Sequence, residues 1–150
     1  MKRKQLSDPM DFIAKQSMLG KDADEQILPF LVHLEEIRQG RGNQANYDVC
    51  VVYLQAMLCT VVSAKNQQLR AMMLDACNAW IAADSERAKK NTDRIELTKE
   101  QMGAVSKAIR FFLMVMPQVK VGIWTAAHDY GKKVLERSIQ EYNAQRAVNA

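Results

Sequence analysis

Apolar residues recur every three to four places along most of this chain, and that spacing constrains its fold more than any other feature. Met102, Val105, Ile109, Phe112 and Met116 form one such series, and Leu69, Met73, Ala76 and Trp80 form another. In a helix of 3.6 residues per turn these positions share one face, whereas a strand would send alternate residues to opposite sides. The raw material agrees. Only six Gly and three Pro occur in 150 residues, and Ala, Met, Leu, Gln, Glu, Lys and Arg are plentiful, so summed intrinsic preference favours helix. The expected fold is all-α: an antiparallel bundle of five to six helices, four of them long, with an N-terminal helical pair. A single domain over 1–150 suits the length, since such a chain buries roughly 70% of the surface it exposes when unfolded. Residues 1–7 are expected to be a flexible basic tail.

Local signals place the helices. Asp8-Pro9 reads as an N-cap with proline at the first helical position, opening a short helix that stops at Gly20. Ile27, Phe30, Leu31, Leu34 and Ile37 form the next stripe, after the acidic Asp22-Ala23-Asp24-Glu25. Pro29 predicts that this helix begins there or kinks there, because proline removes one backbone bond and crowds the preceding turn. Gly40 then fits a C-cap. From Asn43 or Asn46 onward both faces are apolar, with Tyr47, Cys50, Val51, Leu54, Met57, Leu58 and Val61 on one and Val49, Val52, Ala56 and Cys59 elsewhere. A helix greasy all round belongs in the middle of a bundle. A long helix follows Asn66 and ends in Arg87, Lys89 and Lys90, cations suited to the negative end of the dipole.

The sharpest signal is Leu97-Thr98-Lys99-Glu100-Gln101-Met102. Thr98 and Gln101 can satisfy each other's backbone amides, and Leu97 can staple to Met102. A helix starting at Thr98 has Met102, Val105, Ile109, Phe112, Leu113 and Met116 as its core face and ends or kinks at Pro117. Ile95 and Leu97 alternate, as do Val119 and Val121, which allows a two-residue bridge between the connectors; the helical pattern argues against it. The last helix, from about Gly122 to Arg146, carries Ile123, Trp124, Ala127, Leu135, Ile139 and Tyr142. Gly131 either weakens its middle or permits close packing there.

The beginning of the chain is basic, Lys2-Arg3-Lys4, but no apolar signal segment follows it. The longest apolar run, Val49 to Val62, is broken by Gln55 and is shorter than the roughly 20 residues a membrane span needs. Cys50, Cys59 and Cys77 make no CxxC pair and no complete disulfide set, which suits a reducing cytoplasm. No membrane contact is expected.

Motifs for chemistry are scarce. His33 and His128 are the only histidines. His33 and Glu36 share a face, but in the order opposite to the Glu-x-x-His of di-iron bundles, and the second copy is missing. His128-Asp129 resembles half of the metal-ligand set of HD-type phosphohydrolases, yet no aspartate follows Asp129. Phosphate-cradling glycine loops and the nucleophile elbow are absent, and Asp22-Ala23-Asp24 lacks the glycine and closing glutamate of a calcium loop. The three thiols lie in apolar helical stretches, where the reactive thiolate is disfavoured. No catalytic residue, metal or cofactor is expected.

A net charge of +4 permits nucleic-acid contact without requiring it. Gly103-Ala104-Val105-Ser106-Lys107-Ala108-Ile109-Arg110 resembles the turn and recognition helix of a helix-turn-helix over those eight residues. A cap at Thr98 leaves one turn before Gly103, too little for the preceding helix. The nucleic-acid reading rests on Lys107, Arg110, Lys89, Lys90 and the basic tail. The leading reading is a non-catalytic, cytoplasmic regulatory or accessory protein. It presents an apolar helix face with a charged rim to a protein partner, or to its own copy as a homodimer. Phe111, Met114 and Val115 are the expected interface, with Val49, Val52 and Cys59 as the competing patch. The third reading is an enzyme acting around His128, Asp129 and Tyr130.

Overall fold

The computed structural model describes residues 20–148, and among them the chain forms five α-helices and one 3₁₀ turn. These are α1 (Gly20–Arg38), α2 (Gln44–Ser63), α3 (Gln67–Lys90), α4 (Lys99–Val115), the turn Met116–Gln118 and α5 (Val121–Val148). The all-α expectation holds. The predicted helix from Pro9 to Leu19, and with it the N-terminal pair and the basic tail, lies outside the described residues.

Two capping boxes fix helix starts. Asn43 accepts from the Asn46 amide while Asn46 accepts from that of Asn43, and Thr98 and Gln101 do the same for α4. Such pairs satisfy amide groups that helix geometry leaves without an internal partner. At the other end of α1, Gly40 takes φ +78°, and the amides of Gly40 and Arg41 bond back to Ile37 and Glu36. Asn91, in the left-handed region at φ 51°, closes α3 in the same manner. Of the two roles expected of Pro29, the helix start is excluded. Helix α1 runs through it, with Pro29 exposed, so water can take over the carbonyl that lost its intrahelical donor.

Helix α2 is the hub. It packs against α1, α3 and α5, and α4 packs against α3. Phe30 faces Tyr53 while His33 bonds Asn46, so α1 and α2 run antiparallel. One core joins all five helices, with Phe30, Leu54, Met57, Trp80, Phe112 and Trp124 among its buried members. At 20 residues, α2 is longer than the apolar run suggested, and by length and composition it could cross a membrane. Here half of that stretch is buried inside the protein, against three neighbouring helices.

Gly131 resolves its two readings in favour of close packing. It is buried on α5 directly over the backbone of Val52. Ala127 and Trp124, one and two turns earlier, are buried on the same side. This approach corrects the expectation that Val49, Val52 and Cys59 form a partner-facing patch: Val52 is buried, and Val49 and Cys59 are half-buried. The connectors also pair differently from the bridge that was considered. The Ile95 amide bonds the Gly42 carbonyl at 3.3 Å, tying the α3–α4 connector to the α1–α2 loop.

Candidate interaction surface

Helix α4 has two unlike faces. Val105, Ala108, Ile109 and Phe112 are buried. Opposite them Lys107, Arg110, Phe111 and Met114 are all exposed, and their spacing of i, i+3, i+4 and i+7 makes them one stripe. Met114 is 70% exposed and Phe111 40%, while Val115 at the end of the helix is half-buried and packs against the core. A largely exposed thioether and a partly exposed phenyl ring therefore lie beside two cations. Of the sequence-predicted interface, two residues form a surface and the third belongs partly to the interior.

The predicted nucleic-acid residues Lys89 and Lys90 are exposed at the end of α3, on a different helix from Lys107 and Arg110. Gly103 lies inside continuous α4, so the eight residues that resemble a helix-turn-helix contain no turn. The basic face is real, but it belongs to a core helix of the bundle.

Helix α5 supplies a second uncovered stretch that the sequence pattern concealed. Its first half is anchored through Trp124, Ala127 and Gly131, but none of residues 132–148 is buried. Leu135 is half-buried, and Ile139 and Tyr142 are exposed, although their helical spacing reads as a core stripe. Arg146 stacks its guanidinium over the Tyr142 ring, 5.8 Å from the centroid.

The two histidines lie against neighbouring polar and aromatic side chains. His33 Nδ1 lies 2.9 Å from Asn46 Nδ2. His128 meets Tyr53 edge-on at 5.1 Å and Trp124 at 6.2 Å; burial, then the nearby Lys132, pulls its pKa below the ordinary value. Burial also raises every thiol: Cys77 is pushed up to about 11, and Cys50 and Cys59 also rise. Thiolates are thereby suppressed at neutral pH. Cys59 is only half-buried, where the sequence suggested full burial. Among the described residues no group of three or more His, Cys, Asp or Glu is placed to hold a metal ion.

Charge pairs decorate α1 and the loop after it. Glu35 receives two hydrogen bonds from Arg38 and one from Gln39, which hold its carboxyl down at about 2. Glu36 is likewise lowered by its pairing with Arg41. Being exposed, these pairs contribute little stability. Comparison with protein-family models, with curated proteins and with solved structures found no match.

Proposed function

We propose that this chain is a non-catalytic interaction protein that docks onto a protein partner, in a regulatory or accessory role. The carrying observation is the α4 stripe, in which Phe111 and Met114 stand exposed beside Lys107 and Arg110. The fold leaves most of Met114 and part of Phe111 in water, and full burial of such a side chain in a partner is worth at most roughly 1.5–3 kcal/mol, less for the partly covered Phe111. Met adapts its shape readily to a partner groove, and Arg is favoured at interfaces. The cations select the partner: its groove should be apolar with a rim of carboxylates, since rim charges steer encounter and reject like-charged surfaces. A soluble, cytoplasmic setting accords with three unpaired thiols.

The test uses tagged full-length chain recovered from its native cells, with bound proteins identified by mass spectrometry. Met114→Asp should abolish capture of a specific partner while leaving the melting temperature unchanged; Tyr142→Ser on α5 serves as control. Equal capture by wild type and Met114→Asp overturns the reading, as does unfolding of Met114→Asp. A second copy in place of a foreign partner would show as a dimer in sedimentation that the same substitution dissolves.

Nucleic-acid binding is a second reading, favoured by the exposure of Lys89 and Lys90 on α3 and of Lys107 and Arg110 on α4. It requires a mobility shift with mixed DNA and RNA that weakens steeply as salt rises. Apolar docking through Met114 would lack that steep dependence.

A further inference from the structure

Helix α1, like α4, keeps large apolar side chains on its outer face. Leu28 is 56% exposed, Val32 54% and Leu31 38%, and their spacing of i, i+3 and i+4 puts them side by side. Ile27, Phe30, Leu34 and Ile37 fill the buried side, so Leu31 stands outside the core stripe that its spacing suggested. Apolar side chains that adjoin one another in water mark a contact surface, as scattered ones do not.

The two outer faces carry opposite charge. From Asp24 to Ile37, α1 contains four carboxylates and no Lys or Arg; from Gln101 to Val115, α4 contains Lys107 and Arg110 and no Asp or Glu. Glu35 and Glu36 are held by Arg38 and Arg41, which leaves the exposed Asp24 and Glu25, one turn before Leu28, as the acidic end of the α1 face. On α4 the exposed cations also come first: Lys107 lies one turn before Phe111, and Arg110 adjoins it. Asp24, Leu28 and Leu31 therefore repeat the i, i+4, i+7 spacing of Lys107, Phe111 and Met114. Laid alongside each other in the same direction, the two stripes set carboxylate against cation and apolar against apolar. Two α1 faces in that arrangement, or two α4 faces, would juxtapose like charges instead, which rejects the pairing.

Within one chain both faces are exposed, so neither covers the other. We infer that the partner of the α4 stripe is a second copy of this chain presenting the outer face of α1, a step that rests on the reading of that stripe as a docking surface. Asp24 and Glu25 supply the acidic rim, and Leu28, Leu31 and Val32 the apolar centre. Because the two surfaces differ, the contact is heterologous: each copy offers α4 to one neighbour and α1 to another, and assembly continues past a pair unless it closes on itself. One helix against one helix falls short of the roughly 1,200–2,000 Å² of a standard stable interface, which puts the affinity in about the micromolar range.

Sedimentation velocity of the full-length chain from about 1 to 200 μM should show mass rising with concentration, and rising less at high salt. Met114→Asp and, separately, Leu28→Asp should each weaken association by about tenfold or more, since one spoils α4 and the other α1. Mixed in equal amounts, these two variants should form a pair that grows no further, because each retains the face that the other needs. Lys107→Glu with Arg110→Glu should also abolish self-association, as should Asp24→Lys with Glu25→Lys, and the two charge-reversed proteins should associate with each other. Melting curves check that every variant is folded. A monomer across the whole range overturns the second copy as partner, and capture of a foreign protein through Met114 alongside it would leave the α4 docking surface standing. Association that Met114→Asp removes but Leu28→Asp and the Asp24, Glu25 reversal do not would overturn the α1 assignment.

Discussion

Gly131 of α5 rests on the backbone of Val52 of α2 so closely that a Cβ added there would lie 2.5 Å from the Val52 carbonyl oxygen. The obstacle is main chain in the central helix, which cannot rotate aside as a side-chain tip would. Helix α5 must move away or α2 must deform. Gly131→Ala should therefore lower stability by about 1–3 kcal/mol, the usual range for overpacking. That loss appears although Ala is intrinsically the better helix former by roughly 1 kcal/mol.

Gly103 supplies the opposite case. It also lies mid-helix, but nothing stands within 4 Å of where its Cβ would be. Gly103→Ala should raise stability by about 1 kcal/mol through helix propensity alone, a rise of roughly 2–4 °C in melting temperature for a chain of this size. Thermal denaturation of the two variants side by side checks both signs. Equal effects would show that the α2–α5 contact is not close.

Signals within one turn of the chain were the ones legible beforehand. The Thr98–Gln101 box and the Gly40 terminus are each complete within a few residues, so sequence alone specifies them, whereas the start of α2 stayed open between Asn43 and Asn46. Pro29 did not start its helix, because the penalty of an interior proline depends on whether solvent reaches the neighbouring carbonyl, a tertiary property. The spacing of Leu135, Ile139 and Tyr142 fixed a helix but not what covers it: periodicity identifies a face and says nothing of a neighbour. Phe111 and Met114 were found as surplus apolar residues, since α4 already had a full core stripe in Val105, Ile109 and Phe112. The approach of the α1–α2 loop to the α3–α4 connector was invisible, because Gly42 and Ile95 are far apart in sequence and pair only in the fold.

Removing the α4 cap tests how much that local signal contributes. Thr98 Oγ1 accepts the Gln101 amide at 3.1 Å, and Gln101 Oε1 accepts the Thr98 amide at 2.8 Å. Thr98→Ala leaves the Gln101 amide without that acceptor and should cost about 1 kcal/mol. Thr98→Asp should retain most of the stability, since its carboxylate can accept the same amide and faces the positive end of the helix dipole. Urea denaturation resolves the difference as a shift in midpoint with unchanged slope. No shift in the alanine variant would sink the capping assignment.

Thiol reactivity should follow burial. Cys50 is fully buried and Cys77 nearly so, with Cys59 half-buried, and all three thiols are raised by loss of solvation. Ellman's reagent at neutral pH should modify Cys59 first in the native protein. Cys50 and Cys77 should react only as fast as the core opens, and all three at once in denaturant. Rapid native modification of Cys50, located by mass spectrometry, would contradict its place between α2 and its neighbours.

His128 should make stability fall as the solution is mildly acidified. Its pKa is below the ordinary 6.5 because burial against Tyr53 and Trp124, and then Lys132, disfavour the charged ring; Asp129 opposes them weakly. The unfolded chain therefore takes up a proton before the folded one does. Stability from this group is complete above about pH 6.5 and is lost as pH drops through the lower, folded-state value. Glu35 and Glu36 act in a separate window, because their depressed carboxyls titrate only below the ordinary 4.5. Melting temperatures measured from pH 7.5 down to 5 should decline in wild type and stay flatter in His128→Gln. Parallel curves for the two proteins would mean that His128 is as well solvated in the fold as in the unfolded chain, and the packing of α5 onto Tyr53 would have to be redrawn.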